Sequence, residues 1–503
     1  MKRETRSGAT EYPRRFRNPL LPVQRVSFAE NALCAVERIV KGNLFACSMC
    51  GNCILQETAF ICPLRCPKGL RNGPCGSGTL DHCCVDPSRP CVWQLIYRRA
   101  DVLGRLDRLL EVQAPLDWSR VGRETWAQVI ALAWRRGLFA PRSLFQRDAW
   151  RERIGQLFYD IRQPDWWRGD AAYHAPRSAE PVSQLQARLA RGEFVVTAEI
   201  APPLGASSGK IEQSALLLRD YIAAGNFTDN PMATARMSSL ACSVFLSQKG
   251  IEPVMQMTAR DYNRLSLQSE ILGASALGIR NVLCLTGDPP MSGRDPYGAI
   301  PFDVDAVQML WILRRMRDDG IFLDGRPLKN PPRLFLGVAG SPNAPNLRYE
   351  ALRLEKKIHA GAQFIQTQLV YDVDALSAWM EELDKRNLLD KVYILAGVGP
   401  LRSAKSARYI VTQLHNVRVP PAILARMESA RDAQEEGIQI ALEIIERLRT
   451  LKGVSGIHLM AMGWEVVIPR LVVEAGLNHD RDCRDSKDAA QALRHPCEGS
   501  EIR

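Results

Sequence analysis

Between residues 194 and 462 the sequence repeats one pattern eight times: a short apolar or β-branched run, then a longer segment of helical periodicity. The runs are FVVTAEI (194–200), NFTDNP (226–231), EPVMQMTA (252–259), NVLCLTG (281–287), RLFLGVAG (333–340), FIQTQLV (364–370), VYILAGVG (392–399) and GIHLMAM (456–462). Segments such as LRYEALRLEKKIHAG and ARMESARDAQEEGIQIALEIIERLRT lie between them. Strands alternating with helices pair in parallel through crossovers. Eight such units predict an α/β fold, a (β/α)8 TIM barrel over 185–478. No G-x-G-x-x-G follows the first run, which removes the main reason to choose an open dinucleotide-binding sheet.

The chain ahead of the barrel reads differently. Residues 1–30 form a basic arm expected to be disordered, and 31–100 carry ten of the 14 cysteines with many Gly and Pro. Residues 101–184 are helical in pattern and end in a Pro-, Ala- and Ser-rich linker, and 479–503 form a polar tail. The first residues lack the apolar core of a secretory signal, so a cytoplasmic location is expected. Clustered cysteines in such a chain point to metal or cluster ligation before disulfides. The ladder is Cys47-x2-Cys50-x2-Cys53-x8-Cys62-x3-Cys66-x8-Cys75, then Cys83, Cys84 and Cys91. A continuous C-x2-C-x2-C triplet with cysteines before proline matches ferredoxin spacing, whereas structural zinc usually takes two separated pairs. Both readings stand on spacing alone, and spacing does not group the thiols.

The net charge of +11 raises the question of nucleic acid. Its arginines are scattered through amphipathic stretches and form no basic stripe with interleaved aromatics, so an anionic cofactor, substrate or acidic redox partner fits better. No run of about 20 apolar residues exists to span a membrane.

Barrels of this kind build their sites at the C-terminal ends of the strands. Those ends offer Glu199 in TAEIAPP, Thr228 and Asp229 in NFTDNP, and Thr258 with Arg260 in QMTARDYNR. Asp288 in LTGDPP and Gln368 in IQTQLVYD complete the set. Two carboxylates in unlike surroundings can divide acid and charge-stabilising roles. Asp288, before Pro-Pro, fits helix capping equally well. Glu199 sits inside an apolar strand, where an unpaired carboxylate is costly, and this favours function.

In order and spacing, FVVTAEIAPP, NFTDNP, LCLTGDPP, AGAQFIQTQLVYD and GIHLMAMGWE resemble the catalytic barrel of methylenetetrahydrofolate reductases. That family consists of FAD-containing oxidoreductases of one-carbon metabolism, which reduce 5,10-methylenetetrahydrofolate to 5-methyltetrahydrofolate. The resemblance implies Glu199 as the general acid that helps open the imidazolidine ring. It implies Asp288 as the aspartate contacting the pterin close to the flavin, and Gln368 as a hydrogen-bonding partner of the pterin. Thr228, Gly287 and Lys357 fall at FAD-contacting positions, with Gln256, Thr258 and Asp288 also beside the cofactor; Lys357 is otherwise a solvated helix lysine. Opening the ring requires a proton at N10, so the acid must hold its proton near neutral pH, which apolar surroundings promote. Two positions depart from the family pattern. Gln256 stands where many members carry histidine, and Thr286 where arginine precedes the Gly-Asp pair, which leaves NADH as direct reductant open.

The stretch CSMCGNCILQETAFICPLRCPKGLRNGPCGSG, continued by CCVDPSRPCVW, is similar to the cysteine-rich domain that accompanies acetogen-type methylenetetrahydrofolate reductases as a partner subunit or fusion. That domain is iron–sulfur and zinc containing. Cys47, Cys50, Cys53, Cys62, Cys66, Cys75, Cys84 and Cys91 fit its pattern, enough for two four-thiolate sites holding [4Fe–4S] clusters, zinc or both; Cys83 is supernumerary. The resemblance implies an electron inlet joined to a flavin barrel, fed by NAD(P)H or a ferredoxin-like protein, in a homo-oligomer or a redox-partner complex. The competing readings are a folate-dependent methyltransferase barrel without flavin and a zinc-stabilised, non-enzymatic scaffold.

Overall fold

The computed structural model describes residues 28–76, 78–121, 125–138, 147–294, 296–298, 302–414 and 417–478. Most of the expected basic arm and the whole polar tail lie outside the described residues.

The eight runs form eight parallel strands closed in sequence order, from β1 through β8 and back to β1. They are β1 Val195–Ile200, β2 Ala224–Phe227, β3 Pro253–Thr258, β4 Asn281–Leu285, β5 Phe335–Gly340, β6 Phe364–Leu369, β7 Tyr393–Val398 and β8 Val454–Leu459. The expected (β/α)8 barrel is therefore the observed fold. Two strands are displaced: β8 begins before the GIHLMAM run and stops at Leu459, and β2 begins before the NFTDNP run and stops at Phe227. Its small residues have a packing cause. A Cβ on Gly225 would stand 2.8 Å from Leu246 of the helix Ser239–Gln248. Small side chains let that helix approach the sheet, and they also blur the strand signal.

The crossover helices start where the sequence supplies capping side chains. Asn263, Asp305 and Ser403 each close a reciprocal capping box on the next turn, satisfying amides that would otherwise lack partners. At the N-terminal end of the barrel, the helix Gln184–Ala190 plugs the interior with Leu185 and Leu189. They pack on Val195, Val254, Leu283, Phe335 and Phe364, with the two phenylalanine rings 4.8 Å apart. The floor of the barrel is thus apolar.

The cysteine-bearing region starts with the helix Phe28–Phe45, continues through irregular loops and closes with the helix Val92–Val102. Trp93, Ile96 and Tyr97 of the latter share a buried cluster with Phe302, Tyr349 and Leu352 of the barrel. The rings of Tyr97 and Tyr349 stack at 5.4 Å. A buried carboxylate fixes this junction. Asp305 Oδ2 accepts hydrogen bonds from the backbone of Arg71 and Asn72 (3.2 and 3.1 Å) and from Asn72 Nδ2 (3.0 Å). Its Oδ1 meanwhile caps the helix Ala306–Arg314 at Gln308 N (2.9 Å). The following tryptophan-rich segment lies along the barrel wall, where Trp167 is buried against Trp311. Among the described residues no helix is long and apolar enough to cross a membrane.

Candidate active site

Side chains two apart along a strand share a face. In β1, Val195 belongs to the floor, Thr197 lies above it and Glu199 follows at the mouth. Thr197 takes part in a buried layer with Asn226, Gln366 and His458. Asn226 Nδ2 donates to Gln366 Oε1 at 2.7 Å, Gln366 Nε2 donates to Thr197 Oγ1 at 3.3 Å, and Thr197 Oγ1 lies 3.0 Å from His458 Nδ1. Burial holds His458 down at about 3, so its ring is neutral. The layer is polar but uncharged, which a closed network can sustain in a low-dielectric interior. These four residues escaped the reading of strand ends. Three of them stand two positions before Glu199, Thr228 and Gln368, so period-two counting backward from those ends would have found them.

Glu199 is largely enclosed. Burial pushes its carboxyl up to about 7; the Gln256 amide opposes the rise by hydrogen bonding, and the like charge of Glu465 adds to it. Glu465, in the GWE turn after β8, is a further site residue that strand-end reading passed over. A carboxyl balanced near neutrality suits general acid catalysis.

Around Glu199 the neighbouring strand ends are tied together. Asp229 Oδ2 accepts from Thr258 N at 2.9 Å, and Thr258 Oγ1 donates to the Asp229 carbonyl at 3.3 Å, joining the ends of β2 and β3. Burial raises Asp229 to about 6, against the pull of that N–H. Thr228 Oγ1 is buried and has no hydrogen-bond partner among the described residues, an arrangement that costs stability unless a ligand completes it. Gly287 adopts φ +89°, and a Cβ there would lie 2.1 Å from Thr258 Cγ2, so only glycine fits this turn. The next residue, Asp288, is exposed at the same mouth. Arg260 donates to the Asp288 carbonyl (3.2 Å) and to the Asn230 carbonyl (3.1 Å) while paired with Asp261. The guanidinium at the Gly-Asp turn thus comes from Arg260, with Thr286 at the position before the pair.

Gln368 stands two positions beyond Gln366 in β6 and is partly exposed, where the ladder with β7 becomes irregular. Lys357 is placed differently. It is buried between the helix Leu347–His359 and the barrel wall, where its ammonium donates to the Ala339 carbonyl of β5 at 2.9 Å. Burial holds it well below the usual lysine range. The structure therefore gathers Glu199, Thr228, Gln256, Thr258, Gly287, Asp288 and Gln368 at one mouth, with Lys357 one layer behind it.

The cysteines fall into two groups. Cys47, Cys50, Cys53 and Cys62 line one cavity with Leu55 and Leu64, and Lys41 and Arg71 also face it. Cys66, Cys75, Cys84 and Cys91 lie within electrostatic reach of Cys75 or one another, with Cys83 beside them; Cys75 and Cys84 sulfurs are 3.3 Å apart. Among the described residues no three of these side chains close into a ready coordination cage. Burial pushes Cys50 up to about 11 and Cys66 up to about 12. Buried thiols held so high stay protonated unless a metal displaces the proton. Each group offers four soft donors, with the cations Lys41 and Arg71 beside the first and Lys68 beside the second.

Comparison with known proteins agrees with the barrel. The family profile described as Methylenetetrahydrofolate reductase matches residues 184–476. A second, described as Methylene-tetrahydrofolate reductase C terminal, matches 27–119, here ahead of the barrel. A probable methylenetetrahydrofolate reductase (NADPH) of Caenorhabditis elegans is 26% identical over 249 residues, covering 48% of this chain and 34% of the relative. Methylenetetrahydrofolate reductase 2 of Schizosaccharomyces pombe is 24% identical over 263 residues, covering 49% and 39%. A probable methylenetetrahydrofolate reductase (NADH) of Oryza sativa subsp. japonica is 26% identical over 268 residues, covering 51% and 42%. The chain thus spans well under half the length of these relatives. The matched profile nevertheless takes in more than half of the 503 residues, and the chain belongs to the methylenetetrahydrofolate reductase family.

Proposed function

We propose that the barrel mouth interconverts 5,10-methylenetetrahydrofolate and 5-methyltetrahydrofolate, with FAD as its cofactor. The observation that carries this reading is Glu199, an enclosed carboxyl held near neutrality above an uncharged polar layer. In the reductive direction Glu199 gives its proton to N10 as the bond from N10 to the one-carbon unit breaks. Asp288, after β4, and Gln368, in β6, orient the pterin. When bound, FAD supplies hydride transfer. The unpartnered Thr228 hydroxyl, Gln256, Thr258 and the Gly287–Asp288 turn would hold it, and Lys357 would steady β5 from behind. The two cysteine groups would hold [4Fe–4S] clusters, zinc or one of each. They would make the N-terminal region an electron inlet for NAD(P)H-derived electrons or a ferredoxin-like protein.

Anaerobic purification tests this directly. The protein is expected to carry flavin absorbance and thiolate-bound metal, and to oxidise 5-methyltetrahydrofolate with a viologen acceptor. Glu199→Gln is expected to retain flavin and lose roughly 10²–10⁴-fold in turnover. A protein that neither contains nor binds FAD, or a Glu199→Gln variant turning over at the wild-type rate, overturns the reading.

A further inference from the structure

Lys68 stands where the second cysteine group meets the barrel mouth. It lies two residues after Cys66 in the CPKGL turn, whose Lys68 carbonyl accepts from Phe302 N at 3.3 Å. Its side chain is carried inward, 3% exposed, and its ammonium donates to the Gly287 carbonyl at 2.8 Å. Asp288, Cys66, Cys75 and Cys84 all lie within electrostatic reach of it. At the next residue, Arg260 donates to the carbonyl of Asp288 at 3.2 Å. The Gly287–Asp288 turn is thus clamped by two cations, one from the barrel and one from the cysteine region. Its third side is Thr258, against which Gly287 is already packed too closely for a Cβ. A buried ammonium is tolerated only with partners, and the partner here is a main-chain oxygen of the turn that carries Asp288.

We propose that Lys68 is a positioning residue that couples the second cysteine group to the barrel mouth: whatever fixes the Cys66 turn also fixes the placement of Asp288. Among the described residues, the side-chain hydrogen bonds to the Gly287–Asp288 carbonyls come from Lys68 and Arg260, and the first cysteine group supplies none of them. The inference deepens the proposed function, because it makes the second group the one that communicates with the folate and flavin site. The coupling is mechanical: a metal on Cys66, Cys75, Cys84 and Cys91 would hold the CPKGL turn, and the turn would hold Lys68.

The test is hydrogen–deuterium exchange of amides 284–288 in the full-length, metal-replete protein. Lys68→Met is expected to speed their exchange about tenfold, as loss of a charge-assisted bond implies, and Lys68→Arg to recover most of the protection. Arg348→Ala serves as the control: it cuts the Arg348–Asp101 pair at the same junction and should leave these amides unchanged. Removing metal with a chelator should speed exchange in the wild type and add little in Lys68→Met. The proposal fails if Lys68→Met exchanges like the wild type, if Arg348→Ala loosens the turn equally, or if chelation acts alike in both proteins. If the purified protein holds no metal, the metal reading of the cysteines falls, while the Lys68→Met and Lys68→Arg comparison still decides the contact. Thermal melting of each variant confirms that it is folded.

Discussion

Replacing Glu199 by Gln separates two properties that the wild-type carboxyl combines. Burial lifts Glu199 from 4.5 to about 7, which corresponds to about 3 kcal/mol disfavouring the charged form in the folded state. Water at the mouth makes that figure an upper bound. Because the folded value is raised, the neutral carboxyl's contribution is complete below the unfolded value and drains away as pH climbs toward about 7. Between about pH 5 and pH 8 the wild type therefore loses up to about 3 kcal/mol through this one group. Asp229, raised to about 6, adds a similar slope to both proteins, so the informative quantity is the difference between them. Urea unfolding followed by tryptophan fluorescence supplies it, with a common m-value as the check that the unfolded state is unchanged. From the lower to the higher pH, Glu199→Gln should gain about 2–3 kcal/mol relative to the wild type, while its folate turnover stays low. Stability–pH curves that run parallel within about 0.5 kcal/mol would refute an enclosed acid at this position.

Other perturbations probe separate parts of the molecule. Thr228→Ala removes a hydroxyl with no partner among the described residues, so it should weaken FAD binding about tenfold at little cost in stability; an unchanged dissociation constant in a flavin fluorescence titration removes Thr228 from the site. Asp305→Ala strips the buried bonds to Arg71, Asn72 and Gln308 and should destabilise the junction by about 3 kcal/mol or more, seen as faster proteolysis between the cysteine region and the barrel. Cys50→Ser and Cys66→Ser, one in each group, should each lower the metal content by one centre and together abolish it. Equal metal content in wild type and either variant would contradict two four-thiolate sites.

The barrel was legible because its strands are rich in Val, Ile and Leu and its helices announce their starts with Asn, Asp and Ser. It was least legible at β2, where Gly225 makes room for a helix and leaves no β-branched signal. Glu199 could be singled out because a carboxylate in an apolar run is conspicuous in one dimension. Asn226, Gln366 and His458 are not: polar residues within strands read as ordinary alternation until closure brings them together. The cysteine ladder displayed its donors but not their partition, since Cys62 and Cys66 are only four residues apart and yet join different groups. Least accessible of all was Lys68, whose contact with Gly287 spans 219 residues. No local pattern encodes that distance, and a lysine after Cys-Pro reads as solvent-facing.

The aliphatic and aromatic plug at the base of the barrel bears on how an acid above it could be recharged. Leu185, Leu189, Phe335 and Phe364 pack the base of the barrel with apolar side chains, and the amide and imidazole tier above them is neutral. The direct supply of protons to Glu199, on the proposed chemistry, is from the open side, where folate itself would lodge. On the proposed chemistry, reprotonation waits for the product to depart, and the enzyme is primed with one proton for each substrate it admits.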